Sequence, residues 1–202
     1  KGEVVEEGVS VFDIERVRLN YVEGRQTLFY EDKKDTYRDF RYILNVERPK
    51  QADNCYISAD IGESAPTEIV IIFEMDKKYR YVYNITLYNL TDKEQFEVFK
   101  HLAEKVHANF IGIDCTDGTG RAIYGRLEEV FPKQNLVWVA FNEKIPVDFE
   151  KDPNTDIIVY KNNLPVYKEE YVIDLSIQRL KDLLYGQRME LPEDYKFDLQ
   201  FN

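Results

Sequence analysis

The sequence has little cysteine and little histidine: Cys55 and Cys115 are its only thiols, and His101 and His107 its only imidazoles. Two cysteines in apolar, strand-like surroundings make neither a disulfide framework nor a structural zinc site, so a reducing compartment is the simplest reading. No run approaches the roughly 18 apolar residues of a membrane span. The first residues, Lys1-Gly2-Glu3-Val4-Val5-Glu6-Glu7, are unlike a secretory signal, and with Lys rather than Met at position 1 the chain reads as a piece of a longer one. Positive charge is also scarce: 27 Lys and Arg stand against 38 Asp and Glu, a formal net charge of -11. Neutralising phosphates takes clustered cations, so this balance argues against a constitutive nucleic-acid binder. It leaves room for an enzyme that meets DNA briefly, or is brought to it, and uses divalent cations to bridge its own carboxylates to the phosphodiester. Neither a G-x-S-x-G elbow nor a G-x-x-x-x-G-K-[ST] loop occurs, so serine hydrolase chemistry and P-loop nucleotide hydrolysis are poor candidates.

What is present supports one domain with a preface. The 202 residues are 44% hydrophobic and 32% charged, with 15 Tyr and 12 Phe, enough to bury a core and keep a charged surface. Residues 1–53 read as a linker or extension with some structure of its own: a short helix over 11–17 and strands over 26–30 and 41–46. From Cys55 the pattern sharpens. Cys55-Tyr56-Ile57-Ser58-Ala59-Asp60, then 68–75 and 79–88, read as three strands joined by short loops, an antiparallel meander. Thr91-Asp92-Lys93-Glu94 is a capping box. The helix it opens carries Phe96, Phe99, Leu102, Ala103 and Val106 on one face. Phe110-Ile111-Gly112-Ile113-Asp114 is a fourth strand, 122–130 a second helix and 136–141 a fifth strand. The fold class is α/β, a mixed sheet in the order β-β-β-α-β-α-β flanked by helices. Strands over 156–160 and 166–172 read as an added hairpin, and 176–185 as a third helix ended by Gly186.

An acidic residue ends the first and fourth strands. Where those strands are neighbours, Asp60 and Asp114 project from adjacent strand ends and can share a cation, the usual remedy for two crowded carboxylates. Oxygen donors without nearby His or Cys suit Mg²⁺ or Mn²⁺ rather than zinc. Alone, each Asp has a blander role in capping a strand or turn. Asp117 is a further candidate ligand, again with an ordinary loop role beside it, and Glu63 and Thr67 stand likewise. Gly62 and Gly118-Thr119-Gly120 adjoin the aspartates, where glycine permits a close backbone approach or simply makes a turn. Lys77, Lys78 and Arg80 cluster at a hairpin tip, as candidate DNA-backbone contacts or as a solvated turn. Both histidines lie along one helix, away from the Asp-bearing ends.

Four segments taken in order carry a family resemblance: Ile57-Ser58-Ala59-Asp60-Ile61-Gly62-Glu63, Ile111-Gly112-Ile113-Asp114-Cys115-Thr116-Asp117-Gly118-Thr119-Gly120, Val139-Ala140-Phe141-Asn142-Glu143-Lys144 and Leu191-Pro192-Glu193-Asp194-Tyr195-Lys196. Across residues 55–202 the chain resembles the nuclease domain of the large terminase subunit of tailed bacteriophages. The resemblance implies a ribonuclease-H-like domain over 54–202 that cuts concatemeric viral double-stranded DNA with Mg²⁺ or Mn²⁺, its first two acidic ligands at Asp60 and Asp114. It also implies an ATPase motor domain before residue 1, portal protein and small terminase subunit as partners, no membrane, and action in the cytoplasm of an infected bacterium. The family's third acidic ligand lies on a last helix after the Leu-Pro stretch, and the chain ends at Asn202 before such a helix; Asp174 and Asp198 do not match its position. Two rival readings stand beside this one. Asp60-Ile61-Gly62 also resembles the first phosphate loop of sugar kinases and actin-like ATPases, and the chain can equally be read as a non-catalytic module of a packaging machine.

Overall fold

The computed structural model describes residues 12–23, 28–32, 45–62 and 66–192. In chain order the elements are α1 (Ile14–Arg18), β1 (Tyr21–Val22), β2 (Leu28–Asp32), β3 (Asn54–Asp60), β4 (Thr67–Met75), β5 (Lys78–Leu87), α2 (Asp92–Lys105) and β6 (Phe110–Asp114). They continue with α3 (Gly118–Leu127), β7 (Leu136–Val139), β8 (Lys144–Phe149), β9 (Tyr160–Lys161), β10 (Leu164–Pro165), β11 (Tyr167–Tyr171), α4 (Val172–Tyr185) and β12 (Met189–Pro192). The main sheet runs β1-β12-β5-β4-β3-β6-β7, with β2 also paired to β5. β3, β4 and β5 form the expected antiparallel meander, while β6 joins β3 and β7 joins β6 in parallel. This is the mixed α/β sheet that the order of elements predicted.

Alternation along each strand assigns its two faces. Ile57, Ala59, Ile69, Ile71, Phe73, Ile111 and Ile113 point to one side and bury against Val98, Phe99 and Leu102 of α2 and Ile123 and Leu127 of α3. Each of the buried Ile, Phe, Val and Leu side chains among these stabilises the fold by about 1.5–3 kcal/mol relative to exposure. On the other side α1 and α4 cover β4, β5 and β12 through Val17, Leu184, Met189, Leu191 and Tyr81, with Val70 and Ile72 packed against them. A shift of register sets Tyr83 opposite Ile71 and Tyr81 opposite Ile72. The bulge at Val82 therefore turns Tyr81 and Tyr83, two residues apart, to opposite faces. The second cover stops short of β3, β6 and β7, where Phe110 and Val137 remain exposed.

Several boundaries differ from the sequence reading. The N-terminal segment supplies two strands to the main sheet: Tyr21 pairs with Leu191, and Leu28 with Tyr83. The strand expected over 41–46 falls mostly outside the described residues, and Val46 is buried in the main core. The hairpin is built otherwise than expected. β11 pairs with β8, and the tip is the two-residue pair β9–β10 around Asn162 and Asn163, both at positive φ (51° and 64°). That is the turn geometry two-residue hairpin loops prefer. Pro146 hid β8, because proline within a run argues against a strand; here it sits next to a bulge at Val147 in a two-stranded ribbon. α4 starts at Val172 rather than 176, since β11 runs out of partner where Tyr171 meets Lys144.

Candidate active site

β3 and β6 lie side by side in parallel with Ala59 opposite Ile113, so the next residues along, Asp60 and Asp114, end adjacent strands at the same level. Ala59 and Ile113 are buried against the helices. By alternation, Asp60 and Asp114 face the opposite side, the one that α4 leaves open above β3 and β6. The row extends across the sheet: Asp60 pairs with Glu68 of β4, and Glu68 with Thr86 of β5. Glu68 accepts the Thr86 hydroxyl at 2.9 Å, which draws its carboxylate towards β5. Below the aspartates the open strip is lined by Ser58, Gly112 and Val137 in register, then by Tyr56 stacked on Phe110 at 5.1 Å.

Local backbone geometry holds Asp114. Its Oδ1 accepts the Thr116 N–H at 2.8 Å, and the Thr116 hydroxyl accepts the Phe141 N–H at 3.1 Å, which ties the turn after β6 to the end of β7. Asp117 is the N-cap of α3, its Oδ1 accepting the Gly120 N–H at 3.0 Å. Gly118-Thr119-Gly120 is thus the first turn of a helix rather than a loop, and α3 starts four residues before the sequence pattern indicated. Gly120 is required by closeness: a Cβ there would overlap the Asp114 carbonyl oxygen.

Charge accumulates at this end of the sheet. Partial dehydration, and then the negative charges of Asp114 and Asp117, push the Asp60 carboxyl above its ordinary value. The nearby Cys115 is fully buried, and its thiol is pushed up to about 11, chiefly by that burial. It is therefore a protonated packing group, not a thiolate ligand. Among the described residues no three His, Cys, Asp or Glu side chains converge on a point where they could hold a metal. Asp60 and Asp114 form a pair, with Asp117 beside them committed to capping.

The remaining candidates lie elsewhere. Lys77, Lys78 and Arg80 belong to the β4–β5 turn, next to the start of β3, where Asn54 pairs with Glu74. Six residues of strand separate that end from Asp60, about 20 Å at the usual rise. Arg80 is also engaged there, its Nε 2.7 Å from Glu190 of β12, with Lys78 4.0 Å from the same carboxylate. The basic cluster and the aspartate pair are therefore not one site, because an odd number of hairpin crossings puts them at opposite ends of the meander. His101 Nδ1 lies 2.7 Å from the Glu97 carbonyl, which can only accept, on the outside of α2, and the His107 carbonyl accepts from Arg48. Asp174 is exposed in the first turn of α4, where a negative charge suits the helix dipole. Glu63, Asp198 and the last four residues of the Leu191–Lys196 motif fall outside the described residues.

Two buried polar residues lie near the pair: Thr67 at the start of β4, which the sequence offered as a candidate ligand or an ordinary loop residue, and Gln95 in α2, which the sequence reading overlooked. Gln95 was detectable as a polar residue at helical spacing with Phe99 and Leu102. It occupies the buried place that the periodicity had assigned to Phe96, which is only partly buried.

No protein-family model and no curated protein sequence matches the chain. Solved structures do. The large terminase nuclease of thermophilic phage G20c with bound magnesium is similar over 93% of this chain and 76% of its own, at 16% identity and a TM-score of 0.52. With bound cobalt the same nuclease aligns over 92% and 74%, at 18% identity and a TM-score of 0.51. The large terminase of thermophilic bacteriophage D6E aligns over 75% of this chain at 13% identity and a TM-score of 0.48, and this chain spans about a third (32%) of its length. At such identities the likeness is one of fold: the chain has the mixed-sheet, ribonuclease-H-like fold of large terminase nucleases.

Proposed function

We propose that this chain is a metal-dependent endonuclease domain of a viral DNA-packaging terminase, cutting concatemeric double-stranded DNA. The observation that carries the reading is the placement of Asp60 and Asp114 at the ends of adjacent parallel strands, on the side of the sheet left open beside them. The donor set fits a hard divalent cation: two carboxylates, no histidine in reach, and a neighbouring thiol that stays protonated. Partial dehydration raises Asp60 first, and the crowded negative charge of Asp114 and Asp117 that adds to it is what a cation relieves. Mg²⁺ commonly takes one or two carboxylates and fills its other positions with water and phosphate oxygens, so an open pair is a workable half-site. When bound, Mg²⁺ or Mn²⁺ would activate water and polarise the phosphodiester.

Asp60 and Asp114 hold the cation in this reading. The Thr116 N–H fixes the orientation of Asp114, and Asp117 adds negative potential while keeping α3 in place. The nuclease unit is residues 54–202, with 1–53 as an extension partly built into the sheet. The fold likeness to the G20c nuclease, which has been solved with magnesium and with cobalt, supports divalent metal use. In the same reading the ATPase domain belongs to the parent chain, portal protein and small terminase subunit are partners, and the place of action is the cytoplasm of an infected bacterium.

Nicking of supercoiled plasmid is the test, followed with Mn²⁺, with Mg²⁺ and with EDTA. Asp60→Asn and Asp114→Asn should each lower the rate by about 10² or more, as removal of other transition-state stabilisers does, while circular dichroism stays unchanged. Both variants cutting at the wild-type rate would place the chemistry elsewhere. A wild-type chain extended past Asn202 that never cuts with either metal would favour the non-catalytic packaging module.

A further inference from the structure

Asp60 is the last residue of β3, and a buried polar cluster secures the chain just beyond it. Thr67 Oγ1 accepts the Gly62 N–H at 3.0 Å and donates its own proton to Gln95 Oε1 at 2.7 Å. Gln95 Nε2 donates to the Gly62 carbonyl at 3.2 Å and to the Leu90 carbonyl at 3.1 Å. Both backbone groups of Gly62 are therefore held by side chains, two residues past the aspartate. Thr67 is only 2% exposed and Gln95 3%. Burying a hydroxyl and an amide costs stability unless their hydrogen bonds are made, and a Val–Leu pair would fill the same space without that demand. What the polar pair adds is a fixed position for the Gly62 backbone. It joins the end of β3, the start of β4 and the first turns of α2, and the capping box of Thr91 with Glu94 sets the rotation that turns Gln95 inward.

We propose that Thr67 and Gln95 are positioning residues, which hold the Ile61-Gly62 backbone so that the Asp60 carboxylate stays beside Asp114. This rests on the metal-dependent reading above and deepens it. Neither residue touches the metal or the substrate. They act by limiting how far the end of β3 can turn away, and supporting groups of this kind typically change metal affinity by 10–100-fold when removed.

The test uses two near-isosteric changes, Thr67→Val and Gln95→Met, with Thr67→Ser as the conservative rescue. Asn20→Ala serves as a control that destabilises the fold far from the site. In the metal-free chain, hydrogen exchange at the Gly62 amide should accelerate about tenfold in the first two variants, while the amides of β3 keep their protection. Calorimetric titration with Mn²⁺ alone should show affinity falling by about tenfold. Thr67→Ser should restore both readings, and Asn20→Ala should lower the melting temperature without moving either. Should Thr67→Val fail to fold, Gln95→Met carries the comparison. Wild-type exchange at Gly62 in both variants would overturn the clamp. Faster exchange with unchanged Mn²⁺ affinity would overturn the positioning role and leave a purely structural one. A wild-type chain with a protected Gly62 and no Mn²⁺ binding would refute the metal-dependent reading, and the positioning role with it.

Discussion

Removing one charge from the aspartate pair should stabilise the metal-free protein, against the usual direction for a change at a well-placed polar residue. Asp60 stands at the same level as Asp114 on the neighbouring strand, and dehydration, Asp114 and Asp117 all raise its pKa. A carboxyl whose folded pKa lies above its unfolded value favours folding while protonated, and that contribution is lost as pH rises through the folded pKa. At pH 7 the ionised Asp60 is therefore a cost, and Asp60→Asn abolishes it. Because Asp60 is exposed, water screens most of the repulsion and the gain is about 0.5–1 kcal/mol. For a chain of this size that corresponds to a rise of about 1–4 °C in melting temperature. The assay is a set of thermal melts of wild type and Asp60→Asn in EDTA at pH 7 and at pH 3. The gain should be present at pH 7 and vanish at pH 3, where both side chains are neutral. Adding Mn²⁺ at pH 7 should invert the order, since a ligand at a hundredfold excess over its Kd stabilises the state that binds it by about 2.7 kcal/mol and the Asn variant binds less. A variant less stable than wild type in EDTA at pH 7 would show that Asp60 is an ordinary strand cap, and would refute the crowding argument.

Three other outcomes follow from the packing. Gly120→Ala drives a methyl into the Asp114 carbonyl, so urea denaturation should show a loss of at least about 1–3 kcal/mol, with nicking activity falling in the fraction that remains folded. Asn20 donates to the Arg16, Val17 and Leu184 carbonyls and joins α1 to α4; Asn20→Ala should cost about 1–3 kcal/mol in the same assay, with the nicking rate of the folded protein unchanged. Burial raises the Cys55 thiol to about 12 and Cys115 to about 11, so neither should react with a thiol reagent at pH 8 until the chain is unfolded, and both should react fully in denaturant.

Much of the fold was legible because its signals are local. Continuous apolar runs marked β3, β4 and β6, the Thr91–Glu94 box marked the start of α2, and an Asp at the end of a β-rich run marked each half of the candidate site. What failed was also local in origin. Pro146 concealed β8, whose partner β11 lies some twenty residues further along the chain. Gly118 and Gly120 looked like a loop because glycine disfavours helix interiors, yet Gly120 is needed for α3 to approach the Asp114 carbonyl. Lys77, Lys78 and Arg80 stood in the sequence as candidate DNA-backbone contacts or a solvated hairpin turn, and their distance from the aspartates could not be read there. Once β4 is seen to run away from Asp60, they belong to the far end.

Adjacency is the step that no local pattern contains. An aspartate at the end of a strand has an ordinary role by itself, and the proposed chemistry depends on β6 returning to lie beside β3 rather than beyond β5. Two physical facts bring it there. β5 is occupied on its outer side by β2 and β12, so among the described strands the edge left in reach of α2 is that of β3. The buried face of α2 also needs the row of Ile57, Ala59, Ile111 and Ile113 beneath it, and a parallel β6 in this register completes that row. The same register that closes the core carries Asp114 to Asp60 on the other face. A one-residue slip of β6 would turn Ile111 and Ile113 into water and bury Asp114. Core packing therefore enforces the pairing of the two carboxylates, and the divalent cation of the proposed function need only bind to a pair that folding has already assembled.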